Sequence, residues 1–402
     1  MTATTMTRAR AWAGPALLSY GFRPFFLLGG VWAAGAMALW LAHLSGWIAL
    51  AGPFTPTDWH AHALLFGYTS AAIAGFALTA VPNWTGRLAI LGWPLAGLVG
   101  LWLVGRGATT LALGLPWGLV LALDMALPGA LVAALGREIA AGRNWRNLPV
   151  AGLIGLFGLG QGVFHLQAQA GGAAQAWGLR LGLAASVMLI ALIGGRIVPS
   201  FTRNWLAARQ APVLPAPAGR ADAAALALTG AALLAFVALP HHALTLGLAL
   251  VAGLANLGRL ARWQGWRTGA EPLVWVLHAA YAFVGLGFLG IAAAAAGLMP
   301  DAGARHLWLA GAVGLMTLAV MTRASLGHTG RPLAATRPIA GLYLALIVAA
   351  LARPAHALWP QVPGLLELSA LGWMLAFGGF AVIYWPVLTR PRTGAKAVSG
   401  GR

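Results

Sequence analysis

Twelve apolar stretches, most of them roughly 17 to 26 residues long, follow one another with only short polar breaks. They cover residues 25–43, 60–81, 88–104, 115–135, 148–167, 177–198, 223–240, 244–260, 273–298, 306–324, 339–351 and 365–388. The eleventh is short and extends toward Leu333 or Arg353. Inside a bilayer every backbone polar group needs a partner within the protein, so the spans are helices or a closed barrel. These runs do not alternate polar with apolar residues, which excludes a barrel. Charged residues are 8% of the chain, against about 25% in soluble domains, so lipid must be the solvent for most of it. The expected fold is an all-α integral membrane protein forming one membrane domain over residues 1–402. It divides into six spans (1–208), a Pro- and Ala-rich linker (209–221) and six more spans (222–402).

The placement of charge orients the bundle. Net charge is +18, from 25 basic residues of which only Lys396 is a lysine. With the N-terminus inside, Arg106, Arg180, Arg305 and Arg353 fall on the outer side and the other 21 basic residues on the inner side. That bias fits the positive-inside rule and puts both termini in the cytoplasm. The arginines mark loops and do not form the dense stripe of a nucleic-acid-binding module. The absence of cysteine excludes thiolate metal sites, iron–sulfur clusters and cysteine nucleophiles. The stretch before Tyr20 has no short apolar core with a cleavage site, so no removable signal peptide is expected. Trp47, Trp59, Trp84, Trp177, Trp205, Trp308 and Trp359 lie near span ends, as interfacial anchors do.

The same topology sorts the ten histidines. His43, His60, His62, His165, His241, His242, His306 and His356 fall on or near the outer side. His278 and His328 lie toward the inner one. Ionisable groups in a membrane protein mark cofactors or conduction paths. Without cysteine, imidazole is the natural ligand for haem iron or copper. His60 and His62 are two residues apart, about 200° around a helix, so they cannot easily share one metal unless the helix begins between them. His241 and His242 sit at a turn, where adjacent rings could converge on a second metal. His278 and Tyr281 share a helix face, as a ligand with a redox or proton-handling tyrosine or as an interhelical hydrogen bond. Asp124 falls mid-span, where a carboxylate is costly. Pro128 frees a backbone group beside it, so a structural role weighs as much as a functional one. No phosphate-binding loop, zincin motif, nucleophile elbow or dinucleotide fingerprint is present.

Six stretches then carry a family resemblance: GFRPFFLL (21–28), WHAHALLFGY (59–68), AGFALTAVPNWTGR (74–87), GGRIVPSFTRNWL (194–206), WVLHAAY (275–281) and GLMTLAVMTRASLGHTGRP (314–332). The chain resembles the NnrS family, haem- and copper-containing membrane proteins of the bacterial response to nitric oxide. It departs from the family's first histidine motif, where a glutamate usually follows and Ala63 stands here. The resemblance implies haem b, with copper as a second metal, in a multi-pass protein of the bacterial inner membrane. It also implies a distant similarity to the catalytic subunit of haem–copper oxidases, whose haem ligands come from spans 2 and 10.

On that reading His62 and His306 are axial haem ligands, with His60 the alternative on span 2 and Arg305 a propionate anchor. His165, His241, His242 and His278 are candidates for the second metal or for supporting roles. Arg203, Asn204 and His328 are candidates for a quinol headgroup or another subunit. The function expected is haem-dependent redox chemistry on nitric oxide, or protection against it, with electrons from quinol or a periplasmic donor. Two rivals share parts of the pattern. A twelve-span secondary transporter would fit the architecture, and a non-catalytic haem or copper carrier would fit the ligands.

Overall fold

A computed structural model describes residues 12–393. Arg8, Arg10, Lys396 and Arg402, counted above as inner basic residues, lie outside this range. Among the described residues there is no strand. The long helices are α1 Phe22–Leu44, α2 Pro56–Pro82, α3 Trp93–Thr110, α4 Trp117–Ala141, α5 Trp145–Ala168, α6 Trp177–Ala207, α7 Arg220–Ala238, α8 Ala243–Ala261, α9 Pro272–Ala295, α10 Asp301–His328, α11 Arg337–Leu358 and α12 Leu365–Thr389. Each corresponds to one apolar stretch of the sequence.

Eleven of these helices are long and apolar enough to cross a membrane; α3 is not among them. The third apolar run was expected at 88–104, but Gly92 with φ of +70° delays the helix start to Trp93. The helix therefore takes in Arg106, Thr109 and Thr110 at its far end, which lowers its apolarity. Conversely, α11 is a full helix, longer than its sequence signal, because Arg337 and the stretch to Leu358 join it.

From α3 onward consecutive helices pack as neighbours, α2 packs against α1 and α4, and α12 returns against α1. Burial separates a centre from a rim. In α2, α6, α9 and α10, 61–78% of the apolar window is buried within the protein, against 33–44% in the other candidate spans. Three of the four central helices contain π-helical stretches: Ala63–Tyr68 in α2, Ile190–Gly194 in α6 and Leu307–Leu315 in α10. Such stretches are rare and re-aim the side chains beside them. Two of them begin directly after a histidine, His62 and His306.

The two ends of the bundle differ. At the end holding most histidines, Asp58 ties loops together. Its carboxylate accepts from Thr55 Oγ1 (2.8 Å), Gly172 N (3.1 Å) and Ala174 N (2.7 Å). Thr55 caps α2, and Pro56 occupies its first turn. At the other end, arginines hold the expected linker against the bundle. Arg203 donates to Pro215 O (3.2 Å) and Arg267 to Val213 O (2.9 Å). Arg23 is buried and donates to Leu388 O and Arg390 O (2.8 Å each), joining α1 to the end of α12.

The tryptophans divide. Trp47, Trp177 and Trp359 are exposed, as interfacial anchors should be. Trp59 and Trp308 are core residues: their indole nitrogens donate to Thr110 Oγ1 (3.1 Å) and to Val284 O (3.1 Å).

Candidate functional site

Helix α2 starts at Pro56, before both of its histidines. The two rings therefore leave opposite sides of one helix and enter different environments. His60 lines a cavity of about 350 Å³ together with His306, His356, Arg305 and Arg353. This lies within the size range of small-molecule and cofactor pockets, about 300–1,000 Å³. The walls are mainly apolar, from Leu41, Leu64, Leu65, Leu309, Val313 and Trp373, and Tyr68 contributes at one side. Tyr68 is fixed by a 2.6 Å hydrogen bond with Thr317 Oγ1.

Two of the three cavity histidines have an orienting contact. His306 Nδ1 donates to Ala302 O one helical turn earlier (2.6 Å), which leaves Nε2 for the cavity. His60 stacks on Trp40, with ring centroids 4.5 Å apart, and its buried Nδ1 has no hydrogen-bond partner. His356 Nδ1 is likewise buried and unpartnered. Arg305 is held by Asp301 O (3.2 Å) and Ala174 O (2.9 Å).

His62 faces away from this cavity into a second, closed cluster. His60, the alternative on this helix, is the α2 histidine that shares a cavity with His306. In the cluster, Asp124 from α4 meets four side chains from three other helices. Arg106 of α3 donates to Oδ1. Gln161 Nε2 of α5 donates to Oδ2 (2.7 Å). His165 Nε2, also from α5, lies 2.8 Å from Oδ2, as does His62 Nε2. The His62 nitrogen is close but off the line of a hydrogen bond.

Local sequence explains how a carboxylate is tolerated at mid-helix. Pro128 has no N–H for the carbonyl of Asp124 four residues earlier, and Gln161 Nε2 takes that carbonyl at 3.2 Å. Gly67 and Gly105 make room for the ion pair. A Cβ on Gly67 would come 2.4 Å from an Arg106 guanidinium nitrogen, and one on Gly105 2.8 Å from Asp124 Oδ1. Trp32 and Trp102 flank the guanidinium at 5.9 and 6.0 Å from their ring centroids. Gly67→Ala is therefore expected to destabilise the protein by about 1–3 kcal/mol through overpacking. Gly97→Ala, where a Cβ meets nothing within 4 Å, serves as the neutral control. Thermal denaturation of the two variants in detergent measures the difference.

The remaining candidates lie apart from both of these sites. His241 and His242 do not converge. His242 caps α8 by accepting from Leu244 N (3.1 Å), while the exposed His241 reaches Asp301 at 3.4 Å. His278 Nε2 hydrogen-bonds Thr202 Oγ1 (2.7 Å) between α9 and α6. Tyr281 belongs instead to a buried network, accepting from Arg259 (2.7 Å) and donating to Asn256 Oδ1 (2.8 Å); Arg259 also donates to Asp222 Oδ1 (2.9 Å). Gly195 lies under that guanidinium, where any Cβ would collide with it. His328 packs on Tyr20 and Phe22, with centroids 5.6 and 5.4 Å away.

Sequence reasoning did not single out Gln161, Arg353 or His356 as site residues, and it read Arg106 only as a loop marker. A glutamine within one apolar span and an arginine near the end of another were the available signal.

Residues 16–392, nearly the whole chain, match the NnrS protein family. The chain belongs to the NnrS family. Membership places it among membrane proteins of the nitric oxide response, in keeping with its many apolar helices. No curated protein matches it.

Proposed function

We propose that this NnrS-family chain is a haem-binding membrane redox protein acting in nitric oxide metabolism or protection, with the haem in the cavity between α2 and α10. One observation carries the reading. Two central helices, with π-helical stretches directly after His62 and His306, bring His60 and His306 into one mainly apolar cavity. The hydrogen bond from His306 Nδ1 to Ala302 O sets the tautomer that offers Nε2, the usual arrangement of a metal-bound imidazole. The polar rim fits the same group. Arg305 and Arg353 supply positive charge for carboxylates such as propionates.

Bound there, haem would supply an iron centre that takes diatomic ligands and exchanges single electrons. The chain's own contribution is positional. Trp40 holds the His60 ring by stacking, Ala302 O holds His306, and the apolar walls limit water. No nicotinamide or flavin site is visible in the sequence, so a quinol or a periplasmic protein is the proposed electron donor.

The test is an absorption spectrum of detergent-purified protein, oxidised and dithionite-reduced, with iron quantified on the same sample. A Soret band that shifts on reduction, with one iron per chain, is expected. Anaerobic consumption of nitric oxide with a quinol donor then separates turnover from carriage. A featureless spectrum from folded protein made with ample haem would reject the reading.

A further inference from the structure

We propose that an apolar pocket walled by α1, α2, α5, α6 and α10 holds nitric oxide and passes it from the lipid to the cavity of His60 and His306. The destination rests on the haem reading; the pocket itself does not.

The pocket encloses about 100 Å³. Phe26, Ala72, Ile154, Ile193 and Val320, one from each of the five helices, form its walls. Thr317 is the one polar residue in its lining. Ile73, Ile193 and Thr317 stand near the middle of their helices, at the depth of the hydrocarbon core. Ile73, Phe76, Ile190, Ile193, Ile197 and Val320 are partly exposed, so the pocket reaches the outer surface of the bundle on one side.

The other side ends at Tyr68. This residue lines the cavity of His60 and His306, and its hydroxyl lies 2.6 Å from Oγ1 of Thr317 in the pocket wall. The same hydroxyl is 3.6 Å from Sδ of Met321, another pocket residue. One side chain thus separates the two spaces. It is held by a single hydroxyl–hydroxyl bond and a weak contact to sulfur. The net strength of such a bond is modest, and thermal motion breaks and remakes it.

The three π-helical stretches meet here. Tyr68 ends the one in α2, and Leu315 ends the one in α10 just before Met316 and Thr317. Ile190, Ile193 and Gly194 of the third line the pocket directly. Such stretches gather at functional sites. The stretch in α6 contributes nothing to the cavity of His60 and His306, so the apolar pocket is the site that accounts for it.

Size and polarity select the occupant. Pockets for cofactors and drug-sized ligands start at about 300 Å³, so neither haem nor a quinol fits. Walls without charge and with one hydroxyl keep the space dry, and dry apolar cavities take up small neutral guests such as xenon. Nitric oxide is small, uncharged and more soluble in hydrocarbon than in water. The pocket opens at the depth where that gas concentrates.

Two measurements test this. Wild-type crystals pressurised with xenon should show the gas beside Ile193, Met316 and Val320. Ala72→Leu and the partly exposed Ile193→Phe fill the pocket from different helices and should exclude it. Flash photolysis of the carbon monoxide complex of reduced protein then reads delivery. The bimolecular on-rate should fall about tenfold in both variants, with the absorption spectrum and equilibrium affinity unchanged. Val382→Phe, at a position of α12 that is 75% exposed, should keep the wild-type rate. No xenon in the wild-type pocket, or wild-type on-rates in folded variants that exclude xenon, would overturn the proposal. So would a slowed variant whose spectrum or carbon monoxide affinity also changed, since the haem itself would then be disturbed. Xenon uptake does not need haem: a pocket that takes xenon in a protein with no carbon monoxide spectrum would reject the haem reading and leave the gas site in place.

Discussion

Asp124→Ala is expected to be the most destabilising single substitution in the α2–α5 half, costing about 3–5 kcal/mol. The carboxylate is buried and Arg106 is 4% exposed. Removing the carboxylate leaves a guanidinium buried in the protein without its counter-charge, flanked by two indoles. Gln161 loses its carboxylate acceptor at the same time and keeps only the residue-124 carbonyl that Pro128 leaves free. The pair Arg106→Met with Asp124→Leu should recover much of the loss, because replacing a whole buried ion pair by apolar groups is often neutral. With no cysteine for thiol-reactive dyes, tryptophan fluorescence during thermal unfolding is the natural readout, and Trp32, Trp102 and Trp117 lie near the cluster. A single variant as stable as wild type would show that the ion pair contributes little. A double variant worse than both singles would show that the polar cluster is needed as a unit.

This cluster also shows where sequence reasoning reaches and where it stops. The long apolar helices were legible because bilayer thickness imposes a length on each of them. The cost of Asp124 at mid-span was legible too, and so was its relation to Pro128, since both lie on one helix. Its partners were not. Arg106 lies at the end of α3, His62 near the start of α2 and His165 near the end of α5, and no sequence period relates residues on different helices. A count of basic residues by side treats Arg106 as a loop marker, whereas the helix begins late enough to draw it inside. The π-helical stretches were equally hidden, because their residues, ALLFGY and LWLAGAVGL, read like any other apolar helix. What could be read from two residues of spacing was that His60 and His62 face different ways. Which of them shares a cavity with His306 depends on the rotation of α2 in the bundle, and only packing sets that.

The choice between those two histidines makes the sharpest functional prediction. His60→Ala is expected to abolish the Soret band, or leave a five-coordinate spectrum with weak haem retention, while His62→Ala keeps the wild-type haem spectrum. The register is well determined. Thr55 caps α2, Pro56 opens it, and Asp58 pins the first turn to the loop before α6. The helix cannot rotate by the ~200° that would exchange the two rings without breaking those contacts. His60→Gly leaves a gap next to Trp40 in a cavity already open to small molecules, so free imidazole added to that variant should restore the six-coordinate spectrum. Rescue by imidazole tests ligation itself, since it cannot repair a folding defect elsewhere. The opposite result, haem lost from a folded His62→Ala protein and kept by His60→Ala, would return the axial role to His62. The closed cluster around Asp124 would then have to open to admit the haem, and the cavity beside His306 would need another occupant.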